Sequence, residues 1–268
     1  IPNSQHVFLL SVGNNTQTIN HLSWSSILQN SIVDIYPNGR YIPLIKAEQE
    51  IHVIRKIRKN CKPLKSFILD IRKGDFNHGW TEKRFISWDN SLVPVLHWEN
   101  IHRYYVDSNI SDYVPVNFRL IQRTANSSGL MLVWQNITGT TDRYRFHFTI
   151  TDKLNCLFGD KVNKIQLQSQ NYLEILGVLN SKFIDWYFRK TSTNNQVNGY
   201  ELQELPIPII TSENLWIINQ VESLVAQILS DKRINPKANV TELERKIDQL
   251  VYELYELTPE EIAVVEGT

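Results

Sequence analysis

The segment from Tyr172 to Phe188, YLEILGVLNSKFIDWYF, limits what this chain can build more than any other stretch. Leu173, Leu176, Leu179, Phe183, Trp186 and Tyr187 recur at helical spacing and wrap most of one circumference. A helix that is apolar on nearly every side must be covered from several directions. It therefore predicts an enclosed helix ending near Arg189, with Phe183 and Trp186 buried against the β-rich body. The chain then passes through Arg189-Lys190 and a polar loop into Leu205-Pro206-Ile207-Pro208-Ile209. Two prolines exclude helix there and predict an edge strand or an extended strap.

The flanking sequence supplies the covers. HVFLLSVGNN reads as a strand ending in a turn, and residues 17–43 as short alternating pieces broken by Tyr36-Pro37-Asn38-Gly39. Between Lys46 and Lys59, Ile51, Val53, Ile54 and Ile57 mark one face of an amphipathic helix, while Arg55, Lys56, Arg58 and Lys59 face water. Cys61-Lys62-Pro63 ends it. From Leu64 to about Gln168 the pattern changes to β: FILDIRK, LVPVLHWENI, NFRLIQRT, GLMLVWQNI, YRFHFTIT and KVNKIQLQS have strand composition. Turns are expected at Gly74, Asn126 to Gly129 and Thr138 to Asp142. In the tail, Ile218, Val221, Val225 and Ile228, then Leu243, Ile247, Leu250, Leu254 and Leu257, predict two antiparallel helices. Asn239 with Glu242, and Thr258-Pro259-Glu260-Glu261, are capping signatures, and Gly267 closes the last short helix. The fold class is α+β: a β-rich body with a buried helix, followed by an antiparallel helical tail. The expected division is a connector or the end of a preceding domain over 1–45, a linker helix over 46–60, the body over 61–210 and the C-terminal helices over 211–268.

Most enzyme classes find no support. The chain holds no P-loop, no GxGxxG and no GxSxG, and its two cysteines, Cys61 and Cys156, form no CxxC pair. His97 and His102 flank Glu99 at a spacing of five, which does not put two imidazoles on one helix face. Asp70-Ile71-Arg72-Lys73 imitates a nuclease carboxylate-x-lysine element without its second carboxylate. No metal site and no catalytic residue is expected in this chain. Two lone thiols, no apolar run near the roughly 20 residues that span a bilayer and no signal peptide point to a cytoplasmic protein. A start without Met points to a piece of something longer.

Charge is the first hint of a partner. The 268 residues are neutral overall, but from His52 to Tyr104 eleven bases face five acids, a balance of +6. From Asn239 to Thr268 two bases face eight acids, a balance of −6. Such segregation suggests one half turned toward a polyanion. Base edges are discriminated by Arg, Lys, Asn and Gln, with His, Ser and Thr in support, held on loops by a rigid scaffold. One candidate loop holds Lys73, Asn77, His78, Trp80, Lys83 and Arg84; a second holds Arg189, Lys190, Thr191, Asn194, Asn195 and Gln196; a third segment adds Arg143 and Arg145. The plain alternative for the first two loops is solvated surface, and for Thr141 to Arg145 it is a structural turn with an internal Asp–Arg pair.

Several blocks carry a family resemblance. LGVLNSKFIDWYFRKTST with NGYELQELPIPI resembles the helix and strap of TaqI-like C-terminal specificity domains, with Leu179-Asn180-Ser181 and Leu205-Pro206-Ile207-Pro208 the most specific elements. KPLKSFILDIRKGDF and LVPVLHWENIHRYYV resemble the opening of target-recognition domains shared with type I specificity subunits. TTDRYRFHFTIT and IDQLVYELYELTPEEIAVVEG are similar to the same family, and the resemblance spans roughly residues 46–268. It implies double-stranded DNA as partner, read in the major groove by the loop after the buried helix. It further implies a parent adenine-N6 DNA methyltransferase using S-adenosylmethionine, with magnesium if the parent also cleaves. The resemblance also implies a methylating half in cis; the Gly-rich and Asn/Asp-Pro-Pro-Tyr motifs of that half are absent from this sequence. Residues 1–45 are either the last strand region of that half or a connector. Two rival readings are a protein-interaction module docking through the tail, and a stand-alone DNA endonuclease domain.

Overall fold

Strand residues that alternate between two faces build the centre of the molecule. The computed structural model describes residues 45, 48–57, 60–75, 86–118, 129–152, 156–169, 171–192 and 194–267, together with the backbone of two short antiparallel strands, β1 (Val7–Leu10) and β2 (Ser25–Leu28). Helix α1 (Glu48–Ile57) precedes β3 (Cys61–Pro63), a 3-10 turn and β4 (Ile68–Lys73). The body continues through β5 (Val93–Leu96), the short pair β6 (Ile101–His102) and β7 (Tyr105–Val106), β8 (Asp112–Val114), β9 (Met131–Gln135), β10 (Phe148–Thr151), β11 (Leu157–Phe158) and β12 (Val162–Leu167). β10, β9, β12 and β4 form a four-stranded antiparallel sheet in that order, and β11, β5 and β8 form a smaller sheet. The class is α+β, as the strand and helix patterns predict. Most of NFRLIQRT, Tyr36 to Gly39, Arg58 and Lys59 lie outside the described residues.

β9 is buried along its whole length, which explains its unbroken apolar run. Leu132 and Trp134 enter a core shared with the helices, while Met131 and Val133 enter a second core with Leu96, Ile101 and Phe158. The four-stranded sheet is thus a middle layer, and its period of two feeds both cores.

The enclosed helix is not one helix. The chain forms α2 (Tyr172–Leu179) and α3 (Lys182–Thr191), separated at Asn180-Ser181. Ser181 caps α3 by accepting from the Ile184 N–H at 3.3 Å, and the Asn180 amide bonds both the N–H and the carbonyl of Phe148, at 3.2 and 3.0 Å. Side chains that satisfy backbone groups outside the helix favour a break over continuation. The break also changes what Phe183 meets. It packs on Tyr255 of the tail, with ring centroids 4.5 Å apart, whereas Phe188 meets Phe146 of the body at 4.7 Å.

The short helix α4 (Gly199–Leu202) leads to β13 (Pro206–Pro208), which pairs with β3. The strap is therefore a strand, and Cys61 to Pro63, read only as a helix stop, is its partner. The tail comprises α5 (Leu215–Ile234), α6 (Thr241–Leu254) and α7 (Pro259–Glu266). Its apolar stripes close on α2 and α3; a Cβ added at Gly177 would lie 2.6 Å from Val221 Cγ1, so α2 and α5 approach through glycine. Thr258 caps α7 in a capping box with Glu261, and Gly267 follows in the left-handed region at φ 74°. The Asn239 cap is displaced: α6 starts at Thr241, and Asn239 Oδ1 instead accepts from the Thr241 N–H at 3.1 Å. Among the described residues, no helix is long and apolar enough to cross a membrane.

Candidate nucleic-acid interface

Antiparallel register brings three separate loops to one end of the four-stranded sheet. Lys73, the last residue of β4, pairs with Asn163 near the start of β12, and Val162 pairs with Gln135 at the end of β9. Phe148, the first residue of β10, pairs with Trp134. The segments leaving β4 and β9, entering β10 and joining β11 to β12 all meet there.

The loop between β9 and β10 joins the segment that follows α3 in a single platform. The Thr138 N–H donates to the Asn195 carbonyl at 2.9 Å, the Val197 N–H to the Asn136 carbonyl at 2.8 Å, and Ile137 bridges Gln196. Trp134 Nε1 adds a bond to the Val197 carbonyl at 3.0 Å. Below this seam lies Arg145, only 1% exposed. Its Nε donates to Thr138 Oγ1 at 3.0 Å and its Nη2 to the carbonyls of Asn194 and Gln196 at 2.9 and 3.3 Å. Burial, then the charge of Arg189, lowers the Arg145 pKa below its ordinary value. Asp185 accepts from the Arg145 N–H at 2.6 Å and from Arg189 Nε at 2.5 Å. Arg189 in turn donates to the carbonyls of Thr140 and Asp142 at 2.9 and 2.8 Å. The turn is tight: a Cβ at Gly139 would fall 2.4 Å from Asp142 Oδ1.

These bonds sort the candidate residues. Arg143, Asn194, Asn195 and Gln196 are exposed on the platform. Arg145 and Lys190, read from sequence as DNA-facing, are instead buried supports. Lys190 is 9% exposed, bonds Glu50 at 2.6 Å and lies over the Trp186 ring. Thr191 Oγ1 donates to the Phe188 carbonyl at 3.0 Å within its own helix, and Arg189 braces the neighbouring loop. Asn194 Oδ1 is also occupied, accepting from the Gln196 N–H at 2.7 Å. Among the described residues, no hydrogen bond engages the side-chain amides of Asn195 and Gln196.

Lys73 is exposed at the same sheet end. Just beyond it Gly74 passes so close to Gly159 that an added Cβ would meet the Gly159 carbonyl oxygen at 1.8 Å. Asp75 is then held by Lys164 at 2.6 Å and donates its N–H to the Phe158 carbonyl at 2.7 Å. Asn77, His78, Trp80, Lys83 and Arg84 lie outside the described residues; the described chain resumes at Ile86, and Ser87 bridges Tyr113. Lys161 is a further cation at this end, exposed, with its carbonyl accepting from the Asn136 N–H at 2.8 Å. Sequence reasoning missed it by reading it as the start of a strand; the preceding Gly159-Asp160 was the available turn signal.

The charge asymmetry is partly internal. Lys56 bonds Glu261 at 2.7 Å and the Glu256 carbonyl, and Arg103 bonds Glu244 at 2.6 Å. Two bases of the +6 segment thus answer acids of the −6 segment, and the segregation reports the docking of tail on body as well as any external partner. His97 Nε2 lies 2.8 Å from Asp112, and among the described residues no three metal-ligating side chains gather.

No family model and no curated protein matches the sequence. Among solved structures, that of the type IIG restriction endonuclease BpuSI aligns with a TM-score of 0.46 at 10% identity, covering 90% of this chain and 36% of that one. This chain therefore spans about a third of the length of that enzyme.

Proposed function

We propose that this chain is the sequence-reading module of a restriction–modification enzyme that methylates adenine at N6, and that it binds double-stranded DNA with the platform in the major groove. The observation that carries this reading is the platform at one end of the four-stranded sheet, where the β9–β10 loop joins the segment after α3 and the turn between β11 and β12. Loops fixed on a rigid sheet hold side chains at repeatable positions, which base readout requires. The amides of Asn195 and Gln196 suit the N6/N7 edge of adenine, and the Arg143 guanidinium suits the O6/N7 edge of guanine. Lys73 and Lys161, exposed at the same end of the sheet, are cations suited to phosphates.

In this reading the body over 61–210 carries recognition. The helix over 46–60 leads to a catalytic region in cis, with residues 1–45 its end or a connector, and the tail over 211–268 braces the body. Methyl transfer from S-adenosylmethionine belongs to that region, and magnesium enters only if the parent also cleaves. The rival reading, a tail that docks another subunit, draws less support, because Ile218, Val221, Val225, Ile247 and Val251 are already buried in the chain's own core.

The test is selection from a randomised duplex library by the 268-residue chain at two salt concentrations. Enrichment of a short motif, with affinity falling as salt rises through counterion release, is the expected result. Binding with no enriched motif, or no binding at low salt, would defeat the proposal.

A further inference from the structure

We propose that Arg145 is a positioning residue for sequence readout, holding the reading side chains at a fixed height without touching DNA itself. The inference rests on the DNA-reading proposal and goes beyond it by dividing the platform into readers and supports.

A buried guanidinium is costly unless its donors are used, and the partners of this one are telling. Arg145 reaches two carbonyls of the segment 194–196 and the hydroxyl of Thr138 on the opposite segment. Thr138 Oγ1 returns a bond to the Arg145 carbonyl at 3.0 Å, and Asp185 accepts from the Arg145 N–H at 2.6 Å. Backbone and side chain of one residue therefore tie both loops to α3. The segment 194–196 has no apolar side chain to anchor it, and Asn194, Asn195 and Gln196 are all exposed. A guanidinium fork is planar and offers several donors in fixed directions, whereas a lysine offers one flexible point. Here the fork holds two carbonyls and a hydroxyl at once.

With the carbonyls of Asn194 and Gln196 directed inward, the side chains of Asn195 and Gln196 are left at the surface. Asn194, whose Oδ1 closes on the Gln196 N–H, belongs with the supports. The readers on this platform reduce to Arg143, Asn195 and Gln196. Loss of a reader should blur one base pair. Loss of a support should blur every base pair the segment reads, and leave phosphate contacts intact.

The experiment compares wild type, Arg145→Lys and Asn195→Ala. The wild-type-selected duplex and a scrambled duplex of equal composition are titrated at two salt concentrations. Arg145→Lys should reduce the preference for the selected duplex about tenfold or more, across several base pairs. Its affinity for the scrambled duplex and its salt slope should stay within about twofold of wild type. Amide exchange at Val197 and Thr138, whose N–H groups form the seam, should quicken in parallel. A merely structural role would lower thermal stability but leave the preference of the folded fraction unchanged. Should Arg145→Lys fail to fold, Thr138→Val decides: it keeps the arginine, removes the acceptor of its Nε, and should show a smaller loss of preference with faster exchange. A wild-type preference that survives in the folded variant overturns the inference while leaving the DNA-reading proposal standing. A wild-type chain with no preferred duplex removes both.

Discussion

Under the helical tail, ion pairs ring an apolar contact; under the two-loop platform, polar groups are themselves the contact. The tail buries Ile218, Val221, Val225, Ile247 and Val251 together with α2 and α3, and Lys56–Glu261, Arg103–Glu244 and Lys182–Glu266 lie around that core. The platform has Arg145, Asp185, Arg189 and Thr138 beneath exposed amides and an exposed arginine. Apolar burial is non-directional and scales with area, so it holds a helix in place but does not set a side chain to within an ångström. Hydrogen bonds to a planar guanidinium are directional. The tail is therefore built for adhesion, and the platform for placement.

Four measurements press on this contrast, from the largest expected effect to the smallest. Phe183 is fully buried against Tyr255, so Phe183→Ala should lower stability to urea by about 3–5 kcal/mol. An unchanged unfolding midpoint would show that the tail does not depend on this contact.

The second concerns a buried acid beneath the tail. Glu174 on α2 is 1% exposed, one of its oxygens lacks a partner, and burial with the nearby Glu222 pushes its pKa up to about 7, against a bond from Asn171. A folded pKa above the ordinary 4.5 means that the folded state holds the proton more tightly, so stability is lost as pH rises from about 4.5 to about 7. Asp248, raised to about 6 chiefly by burial, acts in the same direction at slightly lower pH. Glu174→Gln should therefore stabilise the protein by about 1–3 kcal/mol at pH 8, with the gain shrinking toward pH 4.5. A gain that is equal at both ends of that range would contradict the assignment.

The third moves to the platform. Asn195→Ala should cost about 1–3 kcal/mol of discrimination at one base pair, while thermal stability stays within about 0.5 kcal/mol of wild type. A large stability loss would make the residue a support like Arg145. The smallest effect is expected from Lys161→Ala, which should lower the salt slope of DNA binding by about one unit, equally for all sequences. A slope unaltered within error would remove Lys161 from the interface.

The same contrast decides what could be read from the sequence. The tail periodicities, the strap and the strand runs within the described residues were legible because apolar spacing reports burial from within one element. The break at Asn180-Ser181 was not, since an Asn and a Ser inside an apolar run are compatible with helix, and what ends α2 is an edge group of Phe148, 32 positions away. Arg145 looked like a surface cation because its acceptors are main-chain carbonyls, which leave no signature in side-chain identity. Lys190 misled for a different reason: its partner is a side chain, Glu50, but one lying 140 positions upstream. The loop containing Asn195 and Gln196 was legible as polar and exposed; which of its members are already engaged was not.

Asn180 carries a consequence of another kind. β10 lies at the margin of its sheet, and such a margin offers unpaired donors and acceptors to any other extended chain. At Phe148 the Asn180 amide takes both positions, and the Tyr104 N–H adds a second bond to the same carbonyl at 2.9 Å. A side chain from a helix junction thus imitates one residue of a fifth strand. It guards the first position of that margin against edge-to-edge association between molecules, a hazard that grows with concentration during synthesis.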